Sequence, residues 1–179
     1  MELPSAIRDT IDEALSGVPL ADLQRASERL TRRYRGEIRD GRLHLSDDIS
    51  ARAYLAVRMP ATYAAIRASF GAVAQLQPEF APRTLIDVGS GPGTAVIAAR
   101  DCWESIAEAE LIEASSAIRP WGERLVSSLA LQRLAWRDDP TSSITTDRAF
   151  DLVTLGYLLD ELPTASVQPL IAHCWQLTA

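Results

Sequence analysis

The sequence predicts an α/β protein, an N-terminal helical region followed by a parallel sheet built from strand–helix units. Three observations carry this. Apolar residues in the first 80 positions recur at helical spacing. From residue 83 onward, short apolar runs alternate with helix-like stretches. The first of those runs meets the next stretch through a glycine-rich turn, "DVGSGPGT".

Taken in order, "LPSAIRDTIDEAL" places Leu3, Ile7, Ile11, Ala14 and Leu15 on one helical stripe, punctuated by Gly17 and Pro19. "LADLQRASERLTRRYR" repeats the pattern with Leu20, Leu23, Ala26, Leu30 and Tyr34. Residues 36–48 read as a loop with a short extended piece at "RLHL". "SDDISARAYLAVRM" opens with acids suited to a helix N-terminus and reaches Pro60, which suits the first turn of the next helix. That helix runs to about Leu76, where the two prolines of "QPEFAP" break the pattern. The boundary near residue 80 gives a helical domain, 1–80, and a sheet domain, 81–179. Strands are expected at 84–88, 109–114, 132–136 and 150–157, with helices at 93–103, 117–129 and 163–177.

Composition narrows the class. Of 179 residues, 47% are apolar, enough for a real core. No run of 18 apolar residues occurs, so no membrane span is expected. The N-terminus lacks a basic stretch followed by an apolar block, so no signal peptide is expected and a cytoplasmic setting is the simplest. Cys102 and Cys174 lack metal-ligand spacing, and His44 and His173 are isolated, so no metal site is expected. Charge is uneven. Seven arginines between Arg25 and Arg42 (25, 29, 32, 33, 35, 39 and 42) stand against three acids, so this window carries +4 while the rest of the chain carries −10. It is a candidate RNA-phosphate surface, the alternative being a solvated helix face.

The glycine turn carries the chemistry. In a strand–helix–strand unit, the first turn lies at the carboxyl edge of the sheet, where ligands bind. Gly89 and Gly91 allow a tight turn and close approach of a bound molecule, and the helix after Gly93 offers unpaired N–H groups. Asp87, at the strand end, can accept hydrogen bonds from loop amides or from a cationic ligand group. About 20 residues on, "LIEAS" puts Glu113 at the tip of the second strand, where a carboxylate suits a ribose diol. A dinucleotide fingerprint needs a third glycine at position 94, which is Thr94, so a nicotinamide-dependent oxidoreductase is the disfavoured reading.

"DVGSGPGT", with its flanking strand and helix, Glu113 and the later strand "FDLVTLGY", resembles motif I of class I S-adenosyl-L-methionine-dependent methyltransferases, whose fold is a Rossmann-like parallel sheet. "RRYRGE", "RAYLAVRMPATYAAIRASF" and "LIDVGSGPGTA" resemble, more narrowly, the bacterial relatives of the mitochondrial small-ribosomal-subunit methyltransferase-like assembly proteins. The resemblance spans about residues 3–175. It implies a helical region before a class I methyltransferase domain, and a role linked to ribosomal RNA or small-subunit assembly. It also implies that this chain matches the N-terminal portion of the family, with four strands of a seven-stranded sheet and without the C-terminal half and its cysteine cluster.

The resemblance implies roles for residues. Gly89, Gly91 and Gly93 would cradle the methionine part of the cofactor, Ser90 would add a hydroxyl, and Glu113 would hold the ribose. Asp138 or Asp139 in "WRDDP" would meet the adenine amino group. Gly156 and Tyr157 would stand where methyl group and acceptor meet. Arg58 and Tyr63 are candidates to fold over the cofactor, the alternative for Tyr63 being core packing. No catalytic side chain is singled out, because methyl transfer depends mainly on in-line positioning. The motif of amino-methylating enzymes is absent from the fourth strand's end. The function expected is S-adenosyl-L-methionine-dependent methyl transfer to ribosomal RNA, with a non-catalytic assembly or RNA-binding factor of the same fold as the alternative. With four strands in the family's order 3-2-1-4, strand four would lie at an edge, and a second chain is expected to pair with it or complete the sheet.

Overall fold

The computed structural model describes residues 1–36, 45–139 and 144–179. Arg39, Arg42, His44 and most of the extended piece expected at 42–45 lie outside the described residues, as does the side chain of Arg35.

Four helices come first: α1 (Ser5–Leu15), α2 (Leu20–Arg35), α3 (Asp48–Val57) and α4 (Met59–Leu76). Pro4 and Pro19 stand immediately before α1 and α2. Asp47 caps α3 by accepting the Ser50 N–H at 2.8 Å. Only Arg58 separates α3 from α4, and Pro60 occupies the first turn of α4, where its missing N–H costs nothing. No described helix is long and apolar enough to cross a membrane.

The sheet follows as β1 (Thr84–Val88), α5 (Thr94–Cys102), β2 (Glu108–Ile112), α6 (Arg119–Ser127), β3 (Arg133–Arg137), β4 (Leu152–Thr154) and α7 (Thr164–Gln176). All pairings are parallel, in the expected order β3-β2-β1-β4. β1 is therefore central, and its period-2 alternation is apolar on both faces. Leu85 points into a core shared with the helices. Ile86 and Val88 point into a second core, with Phe150, Leu170 and Leu177. The first core runs without a break from Ile7 and Ile11 of α1 through Leu30, Leu55 and Tyr63 to Val96, Leu111 and Leu125. The helical region thus packs directly on one face of the sheet, with α4 against α5.

Specific contacts fix that docking. Phe70 of α4 and Phe80 of the proline-rich connection both pack on Trp103, with ring centroids 5.3 Å and 5.6 Å away. Trp121 of α6 donates its indole N–H to Asp48 at 2.9 Å, and the Arg52 guanidinium lies 4.7 Å from its ring.

The fourth strand differs from the run expected at 150–157, since only Leu152–Thr154 pair. The reason lies in its partner. β1 offers Leu85, Ile86 and Asp87 to β4 and then turns away into the glycine loop, so residues beyond Thr154 have no neighbour to pair with. The chain bends out at Tyr157, whose φ is +63°. On the other side, Asp151 accepts the N–H groups of Arg83 and Thr84 at 2.8 and 2.9 Å, and Phe150 bridges Thr178. β2 stops at Ile112, one residue before Glu113, whose side chain turns to the glycine loop.

Candidate functional site

The loop after β1 is pinned from beneath. Gly89 and Ser90 both donate their N–H groups to the carbonyl of Ile112, at 2.9 and 3.0 Å, and the Gly93 N–H closes a turn onto the Ser90 carbonyl at 2.9 Å. The glycines within this turn do different work. Gly91 has φ +54°, and a Cβ added there would meet nothing within 4 Å, because it would point into open space. Gly93 has φ +78°, but its Cβ would lie 2.4 Å from Val126 and 3.2 Å from Leu111. Gly91 therefore keeps room for something outside the protein, whereas Gly93 lets α5 start hard against the core.

Above the loop is a narrow cleft, partly open to solvent, with about 30 Å³ of enclosed space. Its floor is Asp87, Gly89, Ser90, Gly91, Thr94 and Ala95. Its roof, Tyr54, Thr62 and Ile66, comes from α3 and α4, and Gly156 closes the side at the end of β4. Thr62 and Ile66 are four residues apart and share one face of α4.

Three polar atoms at this floor are buried without a partner: Asp87 Oδ2, Ser90 Oγ and Thr94 Oγ1. Buried polar groups are ordinarily satisfied, so three converging on one cavity mark a place for a polar ligand. Asp87 spends its other oxygen on Thr154, whose hydroxyl donates at 2.7 Å. Burial pushes the Asp87 carboxyl up to about 7, against the Thr154 hydrogen bond and with a further push from the Glu113 charge.

Glu113 sits just beyond β2 and accepts two backbone N–H groups, Gly91 on Oε2 and Ser115 on Oε1, each at 2.7 Å. Its carboxyl is raised by burial, against those two bonds. Tyr54 is hydrogen-bonded to Thr62 and pushed up to about 12 by burial. Behind the roof, Tyr34 of α2 donates to Glu161 in the segment after β4, and the Arg58 guanidinium stacks 4.3 Å from the Tyr34 ring. Burial raises Glu161 to about 7, against the Tyr34 hydrogen bond and the attraction of Arg33.

The sequence-expected residues are placed as follows. Asp87, Gly89, Ser90, Gly91 and Gly156 line the cavity, and Glu113 touches it through Gly91. Gly93 supports it from the core side. Asp138 is exposed past the end of β3, and Asp139 pairs with Arg137. Tyr157 is 56% exposed and points outside the lining. Tyr63 does not fold over the cavity. It is core, 1% exposed, with its hydroxyl on Asp101 at 2.8 Å. Arg58 reaches Tyr34, not the cavity. His173 bonds the Ile144 carbonyl at 2.8 Å, and both cysteines are free thiols.

A sequence family described as "Mitochondrial small ribosomal subunit Rsm22" matches residues 48–179. The chain belongs to the Rsm22 family. Human "Ribosome assembly protein METTL17, mitochondrial" is 27% identical over 133 residues, which cover 70% of this chain and 29% of that protein. The Rsm22-family chain thus spans less than a third of that relative's length. Among solved structures, an O-methyltransferase family protein from Burkholderia thailandensis aligns with TM-score 0.63 at 16% identity, over 88% of this chain and 49% of its own. Magnesium protoporphyrin IX methyltransferase from Synechocystis PCC 6803, with bound S-adenosyl-L-methionine, aligns with TM-score 0.53 at 14% identity, over 91% of this chain and 74% of its own. At these identities the likeness is one of fold, the class I methyltransferase sheet.

Sequence reasoning missed the roof. Tyr54, Thr62 and Ile66 of this Rsm22-family chain read there as helix residues only. The one available signal was a threonine and an isoleucine four apart on an otherwise alanine-rich helix. Thr94 was weighed only as the missing third glycine, yet it is 3% exposed with its hydroxyl unpaired at the cavity floor.

Proposed function

We propose that this chain binds S-adenosyl-L-methionine in the cavity above the glycine loop and serves methyl transfer to ribosomal RNA during small-subunit assembly. The observation that carries the cofactor is the set of three buried, unpaired polar atoms, Asp87 Oδ2, Ser90 Oγ and Thr94 Oγ1, around the space left open at Gly91. An α-amino group would find its acceptor in Asp87, and a carboxylate would find donors in the two hydroxyls. Glu113 would hold the ribose, Gly93 would support the turn from behind, and Asp138 would meet the adenine amino group. When bound, the cofactor supplies an electrophilic methyl group. The chain's part is to bind it, keep water from it under Tyr54 and Ile66, and present it at Gly156. Calorimetry with S-adenosyl-L-methionine, S-adenosylhomocysteine and NAD tests this. Binding of NAD alone would overturn it.

The ribosomal link rests on the family description and on the human relative's name. That relative is named for assembly and not for methyl transfer, which favours a second reading, a non-catalytic assembly factor that keeps the cofactor fold. Transfer of labelled methyl to small-subunit RNA separates the two. For RNA contact, Arg25, Arg29 and Arg32 are exposed and spaced four and three apart on α2. The outer edge of β4 is where a second chain would pair. Sedimentation at micromolar concentration tests that, and a monomer would count against it.

A further inference from the structure

Thr154 breaks the pattern of its strand. Leu152, Val153, Thr154 and Leu155 form an apolar run with one hydroxyl, and Thr154 is only 9% exposed. In the parallel register of β1 and β4 it is the partner of Asp87. Its hydroxyl has two acceptors in reach, Asp87 Oδ1 at 2.7 Å and the Ile86 carbonyl at 3.4 Å. A hydroxyl has one proton to give, so it serves one of them at a time, and its oxygen can accept in turn. Asp87 titrates and the carbonyl does not, so the direction of the bond follows the charge on Asp87.

We propose that Thr154 is a positioning residue of the cofactor site: its hydroxyl holds the Asp87 carboxyl with Oδ2 toward the cleft in both the neutral and the ionised state, so the empty site stores a proton that the ligand's ammonium expels. This rests on the cofactor reading above. In the empty site, neutral Asp87 donates from Oδ1 to Thr154 Oγ1, and Thr154 donates to the Ile86 carbonyl. When an ammonium reaches Oδ2, Asp87 gives its proton to solvent and the Thr154 hydroxyl turns to donate to Oδ1. The ammonium arrives charged and stays charged, so the only proton to move is the one from Asp87. The bond to the ionised carboxylate is charge-assisted and the stronger of the two, so Thr154 favours the ionised form while keeping the neutral one in place.

The surroundings of Asp87 suit a stored proton. The residue is 1% exposed and its Oδ2 has no partner. Beyond β2 stands Glu113, a like charge. α3 brings the Tyr54 phenol, α4 brings Thr62 and Ile66, and the loop and α5 bring Ser90 and Thr94. None of the residues lining the cleft is Arg, Lys or His, so no base there holds Asp87 ionised. Burial pushes the Asp87 carboxyl up to about 7, against the Thr154 bond and with the Glu113 charge. The sign is definite: without the hydroxyl, the carboxyl titrates higher still. A threonine kept only for packing would leave no trace in that titration.

The test is calorimetry on the full chain with two ligands, S-adenosylhomocysteine and 5′-methylthioadenosine, which shares the adenosine and the thioether but lacks the ammonium and the carboxylate. It is run from about pH 5.5 to 8.5 in buffers of different ionisation heat. Glu113 faces the ribose common to both, so the difference between the two profiles isolates Asp87. S-adenosylhomocysteine affinity, taken relative to 5′-methylthioadenosine, should rise about tenfold or more across this range, with proton release below about pH 7. Thr154→Val should move the midpoint upward by about one pH unit, weakening S-adenosylhomocysteine about fivefold at pH 7 and less than about twofold at pH 8.5, with 5′-methylthioadenosine unaffected. Thr154→Ala carries the same expectation and replaces the valine variant if that fails to fold. Thr154→Ser keeps the hydroxyl and should restore the profile of the unaltered chain. Equal weakening of both ligands at every pH, an unmoved midpoint, or a serine variant that behaves like valine overturns the role of Thr154. A flat pH profile for S-adenosylhomocysteine overturns the stored proton while the cofactor reading stands. Absence of binding by both ligands overturns the cofactor reading, and this inference with it.

Discussion

Glu113 holds Gly91 directly: its carboxylate accepts the Gly91 N–H at 2.7 Å while its other oxygen takes the Ser115 N–H at the same distance. The acid at the tip of β2 thus shapes the glycine loop before any ligand arrives. Replacing it removes two charge-assisted bonds. Glu113→Ala should lower stability by about 1–3 kcal/mol and weaken S-adenosylhomocysteine binding by a similar amount. Chemical denaturation and calorimetry measure both. An intact loop with full cofactor affinity would contradict this.

Gly91 and Gly93 should respond in opposite ways. Gly91→Val adds side-chain volume in open space, so the fold should survive a strain of about 1–2 kcal/mol from φ +54° while S-adenosylhomocysteine binding disappears. Gly93→Ala drives a Cβ to within 2.4 Å of Val126 and should lower the melting temperature by several degrees. Thermal scans paired with binding isotherms distinguish the two.

Tyr63 offers a control. Its hydroxyl donates to Asp101, which also accepts Arg67 Nε at 2.8 Å, so this residue staples α4 to α5 away from the cavity. Tyr63→Phe should cost about 1 kcal/mol of stability and leave cofactor affinity unchanged. A large loss of affinity would place Tyr63 at the site after all.

Stability should fall as pH rises through neutrality. Asp87 and Glu161 have folded-state values of about 7, above their ordinary values of 3.8 and 4.5. Between roughly pH 4 and 7 the folded chain therefore binds more protons than the unfolded chain. The stability contributed by the neutral carboxyls is present below that window and lost as pH passes 7. At about 1.4 kcal/mol per unit, the combined loss is on the order of a few kcal/mol. Melting of the ligand-free protein at pH 5.5 and pH 8 reads it, and Asp87→Asn should flatten the profile.

The basic face of α2 should show itself through salt. If Arg29 and Arg32 meet RNA phosphates, replacing both with Glu should weaken small-subunit RNA binding and lower the salt-dependence slope by about 0.7 per lost contact. Cofactor affinity should not change. A salt-independent interaction would assign these arginines to a solvated helix face.

Much of this site was legible because it is local. Asp87, Gly89, Ser90 and Gly91 are near neighbours in sequence, and a strand, a turn and a helix dictate their placement. Glu113 followed from one more strand. The strand order followed from the resemblance and not from pattern. The roof was not legible, because Thr62 and Ile66 face the cavity through the packing of α4 on α5 and Tyr54 through that of α3 on α4, and side-chain spacing alone leaves them as helix residues. The length of β4 was misjudged for a related reason: apolar residues continue past Thr154, but a strand ends where its neighbour turns away. Gly93 shows the limit of motif reading, since three glycines in one signature proved to serve ligand space in one case and core packing in another.

The three pairings of the sheet differ in how far along the chain they reach. Thr84 pairs with Glu108, and Glu108 with Arg133, but Leu85 must find Leu152. Closing the longer span costs about 0.9 kcal/mol more in chain entropy than closing either shorter one. Gly156 rides on that last segment. The cavity's side wall therefore belongs to the least local contact in the sheet, the one a chain made from its N-terminus acquires last, so the pocket is complete only once nearly all of this sequence has been synthesised.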